Sequence, residues 1–404
     1  MKYTPLRKIY YVDEDFWESE YMRRYSAPAT KHFAIEIKQY QRKSSYKAFL
    51  CYTEELVLLM EKIYKNFHTL EKLKNQIPFI TLHQFLLASL IDEVKSTNDI
   101  EGVSSTKRQI RSILENQVVP KDLVHLQSVV DKYNKIINNT DISFKTCEDI
   151  RKFYDTFTLN EVIKEHPDCQ PDGKFFRKEL VDIRTSTDKI LHQGVYPETK
   201  IIEYMKTSLE ILNGEHIPCL IRIAVFHYFF GYIHPFYDGN GRTSRFISSY
   251  YLAKEFNEIV ALRLAVTIKK YQKNYYKVFQ ETDSEINCGD LTVFVYTFLE
   301  IINKAMQEAI DILTKKHKQF IICIQKLKQL QIDDEVTREI YFILFQSALF
   351  YGEGVNITQL MNLTEKSRAT IQQRLNKMPK NHLLITKQGK QYRYKLDMKI
   401  FKTL

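Results

Sequence analysis

One junction near the middle of the chain constrains the fold more than any other feature, because an unbroken apolar segment leads directly into a glycine-containing turn. Residues Pro218 to Tyr232 read PCLIRIAVFHYFFGY, which is apolar on nearly every side. A helix that is apolar all round is normally buried. We therefore predict a buried helix that brings His234, just beyond it, to a fixed place in a helical core.

The turn that follows has the composition of an anion site. Residues 234–242 read HPFYDGNGR, and Arg245 comes three residues later. Glycines allow positive φ and a close approach of the backbone, and successive N–H groups in such a turn form a concave anion site. Residues Arg242 to Ala253 are predicted to be helical, so the positive end of that helix would face the same anion. The spacing of the two arginines places them on one helical face.

Two further side chains suit a bound nucleotide. Asp238 offers a carboxylate that can hold a magnesium ion against phosphates. His234 lies just outside the turn, where a general base is needed. The simpler alternative is a glycine-rich loop with a helix cap and a solvated arginine pair. The agreement of residue types along the whole segment favours the nucleotide site.

The segment HPFYDGNGR resembles the signature loop of Fic-domain proteins without departure from the pattern. This resemblance implies a mainly helical Fic-type core with a β-hairpin flap, and transfer of AMP from ATP to a hydroxyl of a target protein. It implies that His234 deprotonates the hydroxyl and that Asp238 binds Mg²⁺. Glycine at 241, where the kinase-like Doc branch has lysine, indicates the AMP-transferring branch.

The same resemblance assigns the nucleotide contacts. The side chain of Asn240 and the backbone of its glycine neighbours would cradle the α- and β-phosphates, while the two arginines hold the outer phosphates. A tyrosine pair in YQKNYYKVFQ resembles the pair that packs by the adenine, although aromatic residues at this density also suit a core. The implied nucleotide-binding set is Asp238, Gly239, Asn240, Gly241, Arg242, Thr243, Ser244, Arg245, Tyr275 and Tyr276.

A second short pattern lies upstream. Residues 97–102 read TNDIEG, which resembles the inhibitory pattern of the family with Thr97 and Glu101 as its fixed residues. The residues before Glu101 form an amphipathic helical segment. A glutamate there that reaches Arg245 would make a charge-assisted pair and occupy the donor that the ATP γ-phosphate needs. An ordinary glutamate at a helix end is the alternative.

Residues Arg184 to Pro197 mix β-forming residues with glycine and proline, which predicts a short hairpin. In the family a flap at this position binds the target peptide by strand addition. The resemblance implies an exposed strand made of Ile190, Leu191, His192 and Gln193. A surface hairpin without a ligand is the equal alternative.

The C-terminal residues carry most of the net charge. Residues 355–404 contain 11 Lys and Arg against 2 Asp and Glu, while the whole chain has a net charge of +10. Their pattern of helices followed by a hairpin around Gln388-Gly389 resembles a winged helix-turn-helix, whose second helix reads DNA bases. Contact with a partner protein is the alternative. The predicted DNA-contacting residues are Arg368, Gln372, Arg374, Lys387, Lys390 and Arg393.

These features predict four parts: an N-terminal extension (1–45), a helical part with the inhibitory helix (46–130), a Fic core (131–315) and a linker helix with the winged helix (316–404). The isolated cysteines and the charged N-terminus predict a cytoplasmic protein without zinc or disulfides, and an oligomer is compatible with the sequence. The predicted function is autoinhibited, Mg-dependent AMP transfer to a Ser, Thr or Tyr hydroxyl, with self-modification. The alternative is a DNA-binding regulator whose Fic site senses nucleotide or removes AMP.

Overall fold

The computed structural model of the chain describes residues 3–115, 124–184, 190–330, 332–388 and 391–403. It forms two compact units. Unit 1 comprises Met1–Phe67 and Leu90–Gln307, and unit 2 comprises His68–Ser89 and Glu308–Leu404. The division into four parts along the sequence stays a prediction.

The described chain is mainly helical, as predicted. No helix within these residues is long and apolar enough to cross a membrane. The helices are α1 (Leu6–Tyr10), α2 (Glu14–Tyr25), α3 (Glu54–Lys74), α4 (Phe79–Ile100), α5 (Lys107–Leu114), α6 (Val124–Ile137), α7 (Cys147–Phe157), α8 (Leu159–Glu165), α9 (Glu198–Asn213), α10 (Cys219–Ile233), α11 (Asn240–Glu255), α12 (Glu258–Ala261), α13 (Leu264–Lys270), α14 (Gln272–Asp283), α15 (Thr292–Gln329), α16 (Glu335–Phe350), α17 (Ile357–Thr364), α18 (Arg368–Lys377) and α19 (Ile400–Thr403).

Three small antiparallel sheets complete the described elements. Strands β1 and β2 pair with each other, β3 pairs with β4, and the third sheet has the order β5-β7-β6. The strands are β1 (Thr30–Ile37), β2 (Tyr46–Cys51), β3 (Asp182–Arg184), β4 (Ile190–Gln193), β5 (Val355–Asn356), β6 (Leu383–Gln388) and β7 (Gln391–Leu396).

The core of unit 1 is built around α10. Twelve of its fifteen residues are buried, which confirms the buried helix predicted from the apolar segment. Helices α9 and α11 pack on it. Pro218 precedes the first turn, where a proline costs no hydrogen bond because that turn has no internal acceptor for its N–H. The buried helix therefore holds its C-terminal end, and the turn after it, in one place.

The N-terminal residues belong to the fold of unit 1. Strand β1 alternates, with Phe33, Ile35 and Ile37 buried between exposed neighbours, which is the period of a strand with one face on a core. The indole Nε1 of Trp17 donates to the carbonyl of Ile286 at 2.8 Å. The segment predicted as an extension is thus packed on the same unit as α10.

In unit 2, α16, β5, α17, α18, β6 and β7 follow one another along the chain. The side chain of Asn356 accepts from the N–H of Gln359 at 2.8 Å and caps α17. In α18, Ile371 and Leu375 are buried on one face of the helix. The predicted turn at Gly389 lies outside the described residues.

Candidate active site

His234 ends α10 in an unusual conformation. Its backbone is left-handed, with φ 52° and ψ 62°, and its N–H still donates to the carbonyl of Phe230 at 3.0 Å. A side chain other than glycine is strained in this region, so the surroundings must hold it there. The turn directs the chain from α10 towards α11 and leaves the imidazole half-buried beside the anion site.

Arg177 is the group that holds this turn. Its fully buried guanidinium donates to the carbonyls of His234 at 2.9 Å, Val195 at 2.8 Å and Glu179 at 2.6 Å. Burial lowers the pKa of Arg177 to about 10, and no carboxylate among the described residues pairs with it. Arg177 could not be recognised from the sequence, because a single arginine among many carries no spacing signal.

The electrostatic surroundings keep His234 neutral. Burial, followed by the effects of His192 and Arg177, lowers the pKa of His234 to about 3. At neutral pH the imidazole is therefore uncharged, and one of its two ring nitrogens is unprotonated. A neutral imidazole is the form that accepts a proton in general base catalysis.

The turn itself is held by side chains that the sequence analysis assigned to the nucleotide. The side chain of Asn240 accepts from the N–H of Phe236 at 3.0 Å and donates to its carbonyl at 2.8 Å. Each polar group of Asn240 thus makes one hydrogen bond inside the loop, and the expected contact of this side chain with phosphate stays a prediction. Thr243 and Ser244 likewise bond to the carbonyls of Gly239 and Gly241.

The backbone of the turn has the predicted form. Gly239 takes φ 75° and ψ 5° directly before α11, a conformation that glycine adopts without strain. The first N–H groups of α11 therefore point out of the turn with no partner from their own helix. They form an anion site at the positive end of the helix dipole.

Asp238 is the accessible carboxylate of the turn. Its side chain is 40% exposed and lies 3.8 Å from Nη2 of Arg242. Among the described residues, no group of three or more His, Cys, Asp or Glu is placed to hold a metal ion. A magnesium ion usually takes one or two carboxylates and completes its shell with phosphate oxygens and water, so a single carboxylate here fits that ion.

Arg242 is paired inside the protein. Its Nη1 forms a buried ion pair with Glu161 of α8, and 1% of the arginine is exposed. Its Nε has no hydrogen-bond partner among the described residues. Glu161 could not be recognised from the sequence, since it lies 81 residues from Arg242 in a short helix without a motif.

Arg245 is held by the two residues predicted from the upstream pattern. Its Nη2 lies 2.7 Å from a carboxylate oxygen of Glu101, and its Nε donates to Oγ1 of Thr97 at 2.9 Å. The same Nη2 donates to the carbonyl of Thr97 at 3.1 Å. Burial is the largest influence on the pKa of Arg245 and opposes its charged form, but the Glu101 carboxylate together with Tyr275 and Tyr276 raises the pKa above the ordinary value.

Glu101 also lies against the turn. A Cβ placed on Gly241 would overlap the Glu101 carboxylate and come within 2.9 Å of Nη1 of Arg245. The carboxylate therefore lies at the N-terminal end of α11 with an arginine beside it. These are the elements that a phosphate would use. The Glu101 carboxylate thus occupies an anion-binding position in this structure.

Helix α4, which ends just before Glu101, is anchored nearby. The carboxylate of Glu93 in α4 accepts from the N–H groups of Ala265 at 2.8 Å and Val266 at 3.2 Å. Burial raises the pKa of Glu93 to about 7. This contact caps α13 and fixes the end of α4 against the core of unit 1.

The two tyrosines that were predicted to pack by the adenine differ in exposure. Tyr275 is 4% exposed, and its hydroxyl lies 2.7 Å from Nε2 of the buried His227. Tyr276 is 41% exposed and stands edge-on to Tyr275. The Tyr275 ring therefore belongs to the core, and only Tyr276 presents an accessible ring for a base.

The predicted flap is present as the β3–β4 hairpin, whose connecting residues 185–189 lie outside the described residues. The expectation that all of β4 is exposed is wrong for His192, which is 7% exposed. Its Nε2 lies 2.6 Å from the carbonyl of Tyr232, and its Nδ1 lies 3.6 Å from Asp283. A strand that lies on a core must turn alternate side chains inward. Ile190, Leu191 and Gln193 are half-buried.

One of the predicted DNA-contacting residues is not available for that contact. Arg393 is 1% exposed and donates to the carbonyl of Gly354 at 2.9 Å, because β7 is the middle strand of its sheet. Arg374 is half-buried and lies 2.9 Å from the carboxylate of Asp334, and its contact with DNA stays a prediction. Arg368 and Lys387 are exposed, as predicted.

The structure describes one of the two other residues that were predicted to contact DNA. The Gln372 side chain donates to Asn376 within α18 at 3.1 Å and is half-buried. Lys390 lies outside the described residues. Of the six predicted residues, Arg368 on α18 and Lys387 on β6 are therefore the ones that the structure shows as exposed.

The fold and the site together define a helical domain whose anion site lies at the start of a buried helix. Residues 146–252, which contain this site, match the Fic/DOC family. Over most of its length the chain also shares the fold of a Fic family protein from Desulfovibrio desulfuricans G20. That similarity has a TM-score of 0.54 and 21% identity, and covers 86% of this chain and 97% of the other. Residues 146–252 therefore form a Fic domain.

Two curated relatives carry the same domain. Protein adenylyltransferase fic-1 of Caenorhabditis elegans is 25% identical over 240 residues, which are 58% of this chain and 44% of the relative. Protein adenylyltransferase Fic of Drosophila erecta is 28% identical over 217 residues, which are 51% of this chain and 39% of that protein. The match thus spans less than half the length of these relatives.

Proposed function

We propose that unit 1 is a protein adenylyltransferase, which transfers AMP from ATP to a Ser, Thr or Tyr hydroxyl of a target protein or of the chain itself. The observation that carries this proposal is the placement of a neutral His234 beside an anion site made by the turn and the start of α11. The names of the two curated relatives support the same activity. ATP is the substrate that supplies the AMP group.

In the proposed reaction, His234 accepts the proton of the target hydroxyl as its oxygen attacks the α-phosphorus of ATP. The bond from that phosphorus to the bridging oxygen breaks, and pyrophosphate leaves. The N–H groups at the start of α11 stabilise the charge on the phosphate oxygens. A magnesium ion held by Asp238 would supply positive charge at the leaving phosphates.

We further propose that Glu101 inhibits this reaction. Its carboxylate pairs with Arg245 and lies at the N-terminal end of α11, so a γ-phosphate of ATP and the carboxylate would compete for the same donors. ATP bound without these donors would not have its α-phosphate aligned with the attacking hydroxyl. A contrasting role of the same glutamate is to align a water molecule that removes AMP from a modified protein.

The proposal is tested with ATP that carries radiolabel on the α- or the γ-phosphate. The full chain and Mg²⁺ are incubated with each ATP and a lysate, and proteins are separated by gel. AMP transfer predicts protein label from α-labelled ATP alone. Label from γ-labelled ATP would indicate phosphoryl transfer instead and would contradict the proposal.

The pKa of His234 gives a pH prediction. A histidine with a folded-state pKa of about 3 stays neutral as the pH falls from 7.5 to 5.5, whereas an ordinary histidine would gain a proton in this window. We therefore expect the single-turnover rate of AMP transfer at saturating ATP to change less than about twofold over this range. A loss of rate with a midpoint near 6.5 would show that His234 titrates normally and is not held neutral.

For unit 2 we propose that the α16–β5–α17–α18–β6–β7 arrangement is a winged helix that binds DNA. The order of these elements and the β5-β7-β6 sheet support this proposal, and the exposed Arg368 and Lys387 suit phosphate contacts. Helix α18 would be the recognition helix. A module of this shape that contacts a partner protein is the competing possibility.

Replacing Arg368 and Lys387 with alanine in the full chain tests this second proposal. Each lost phosphate contact reduces the slope of log affinity against log salt by about 0.9, so the double variant is expected to lose close to two in slope. The control is Lys62→Ala, which removes an exposed charge from α3. An unchanged slope, together with no sequence enriched from a random duplex pool, would rule out DNA as the ligand.

A further inference from the structure

A groove with a volume of about 620 Å³ lies beside the flap in unit 1. The segment between β1 and β2 forms one wall, and residues 193–196, which are the last residue of β4 and the three after it, form another. The start of α9 closes the end of the groove. No motif in the segment between β1 and β2 predicts a role for it.

The groove is lined mainly by positive charge. Its charged lining residues are one carboxylate, Glu36, and four cations: Lys38, Arg42, Lys43 and Lys200. The three lysines are exposed, and no carboxylate among the described residues forms an ion pair with them. Arg42 lies 3.7 Å from Glu285 and is 61% exposed. An acidic ligand would therefore meet cations that are not already neutralised.

The wall of the groove is fixed to the helices of the active site. The N–H of Lys38 donates to Oη of Tyr232 at 2.8 Å, and the N–H of Glu36 lies 3.3 Å from Oη of Tyr204. Tyr232 lies in α10, two residues before His234. The segment between β1 and β2 is therefore held in a fixed position relative to the end of α10.

The groove begins where the flap meets His234. A Cβ placed on Gly194, which lines the groove, would lie 3.2 Å from Cβ of His234. The next N–H, that of Val195, donates to the carbonyl of Ile233 at 3.0 Å. A peptide that lies along β4 with its hydroxyl at His234, and continues past Gln193, therefore enters the groove.

We propose that this groove binds an acidic segment of the target protein that flanks the hydroxyl to be modified. This inference rests on the proposed AMP transfer only for the position of that hydroxyl. A polypeptide is the favoured ligand over a nucleic acid because the groove continues the line of a β-strand, and extended peptides bind along strand edges. The N-terminal hairpin β1–β2 thus selects targets by charge.

The test measures binding of a fluorescent peptide to the full chain by anisotropy. The peptide has a tyrosine followed and preceded by four glutamates, and a matched peptide has glutamines in their place. The charge-reversal variant is Lys38→Glu/Lys200→Glu. Its matched control is Lys62→Glu/Lys206→Glu, which makes the same charge change at exposed positions of α3 and α9 outside the groove.

We expect the acidic peptide to bind wild type and control alike, more weakly as salt rises, and the charge-reversal variant about tenfold more weakly. Equal binding of the two peptides, or equal loss in the control, would overturn the proposal. So would tighter binding of a single-stranded oligonucleotide that competes with the peptide. Self-labelling with α-labelled ATP in the Glu101→Gly background should be unchanged by the groove substitutions. If that label is absent from all variants while charge-dependent peptide binding persists, the proposed AMP transfer is wrong and the proposed peptide-binding groove is still supported.

Discussion

Replacement of Glu101 by glycine is expected to raise AMP transfer by roughly 10- to 150-fold, the range that corresponds to one charge-assisted hydrogen bond of about 1.5–3 kcal/mol. The reason is that Arg245 then loses its carboxylate partner and can bind the outer phosphate of ATP. The measurement is the initial rate of label transfer from α-labelled ATP, to the chain itself and to proteins of a lysate.

Two controls separate inhibition from a structural effect of the substitution. Glu203→Gly removes an exposed glutamate from α9 and should leave the rate unchanged. Glu101→Gln keeps the shape but removes the charge, so an intermediate rise is expected. A different result would contradict the inhibitory role: AMP transfer by the glycine variant falls, and the variant no longer releases AMP from a modified protein. Glu101 would then serve hydrolysis.

Replacement of His234 by alanine is expected to lower AMP transfer by about 10² to 10⁴, which is the usual effect of removing a general base. ATP binding should persist, because the phosphate donors are the turn and the start of α11. Binding is followed by titration with a fluorescent ATP analogue and rate by label transfer, both in the Glu101→Gly background. Undiminished labelling by the alanine variant would show that another group accepts the proton.

The alanine variant also removes a side chain from a strained position, so its fold must be checked. His234→Asn keeps a polar side chain that tolerates left-handed backbone and lacks the basic nitrogen. We expect the asparagine variant to unfold at the same temperature as wild type and to lose the same activity. Loss of activity in alanine but not in asparagine would assign His234 to the backbone turn.

The local elements of the site could be predicted from sequence because each has a periodic or compositional signal. The apolar run before His234 predicted α10, and the glycines of the turn predicted the left-handed start of α11 at Gly239. The pairing of Glu101 with Arg245 was predicted from a resemblance, and no periodicity in the sequence relates two residues so far apart.

The residues that hold the site from a distance could not be predicted in the same way. Arg177 and Glu161 act through contacts made by tertiary packing, with His234 and Arg242 respectively. Neither residue stands at a distinctive spacing from its partner. Isolated charged side chains in a chain rich in them are usually solvated, and only their burial reveals these two.

The errors at the surface have a related cause. His192 and Arg393 lie in strands, and the alternation of a short strand does not say which face is covered when a neighbouring helix or strand decides it. In both cases the polar group makes its hydrogen bonds inside the protein.

The measurement that tests the central proposal most directly compares two purified variants, Glu101→Gly and Glu101→Gly/His234→Ala. Each is incubated with ATP and Mg²⁺ and a lysate, and modified proteins are identified by mass spectrometry. We expect the mass of one AMP group on hydroxyl side chains with the first variant and its absence with the second. The same AMP modification with both variants, or phosphate in place of AMP, would contradict it.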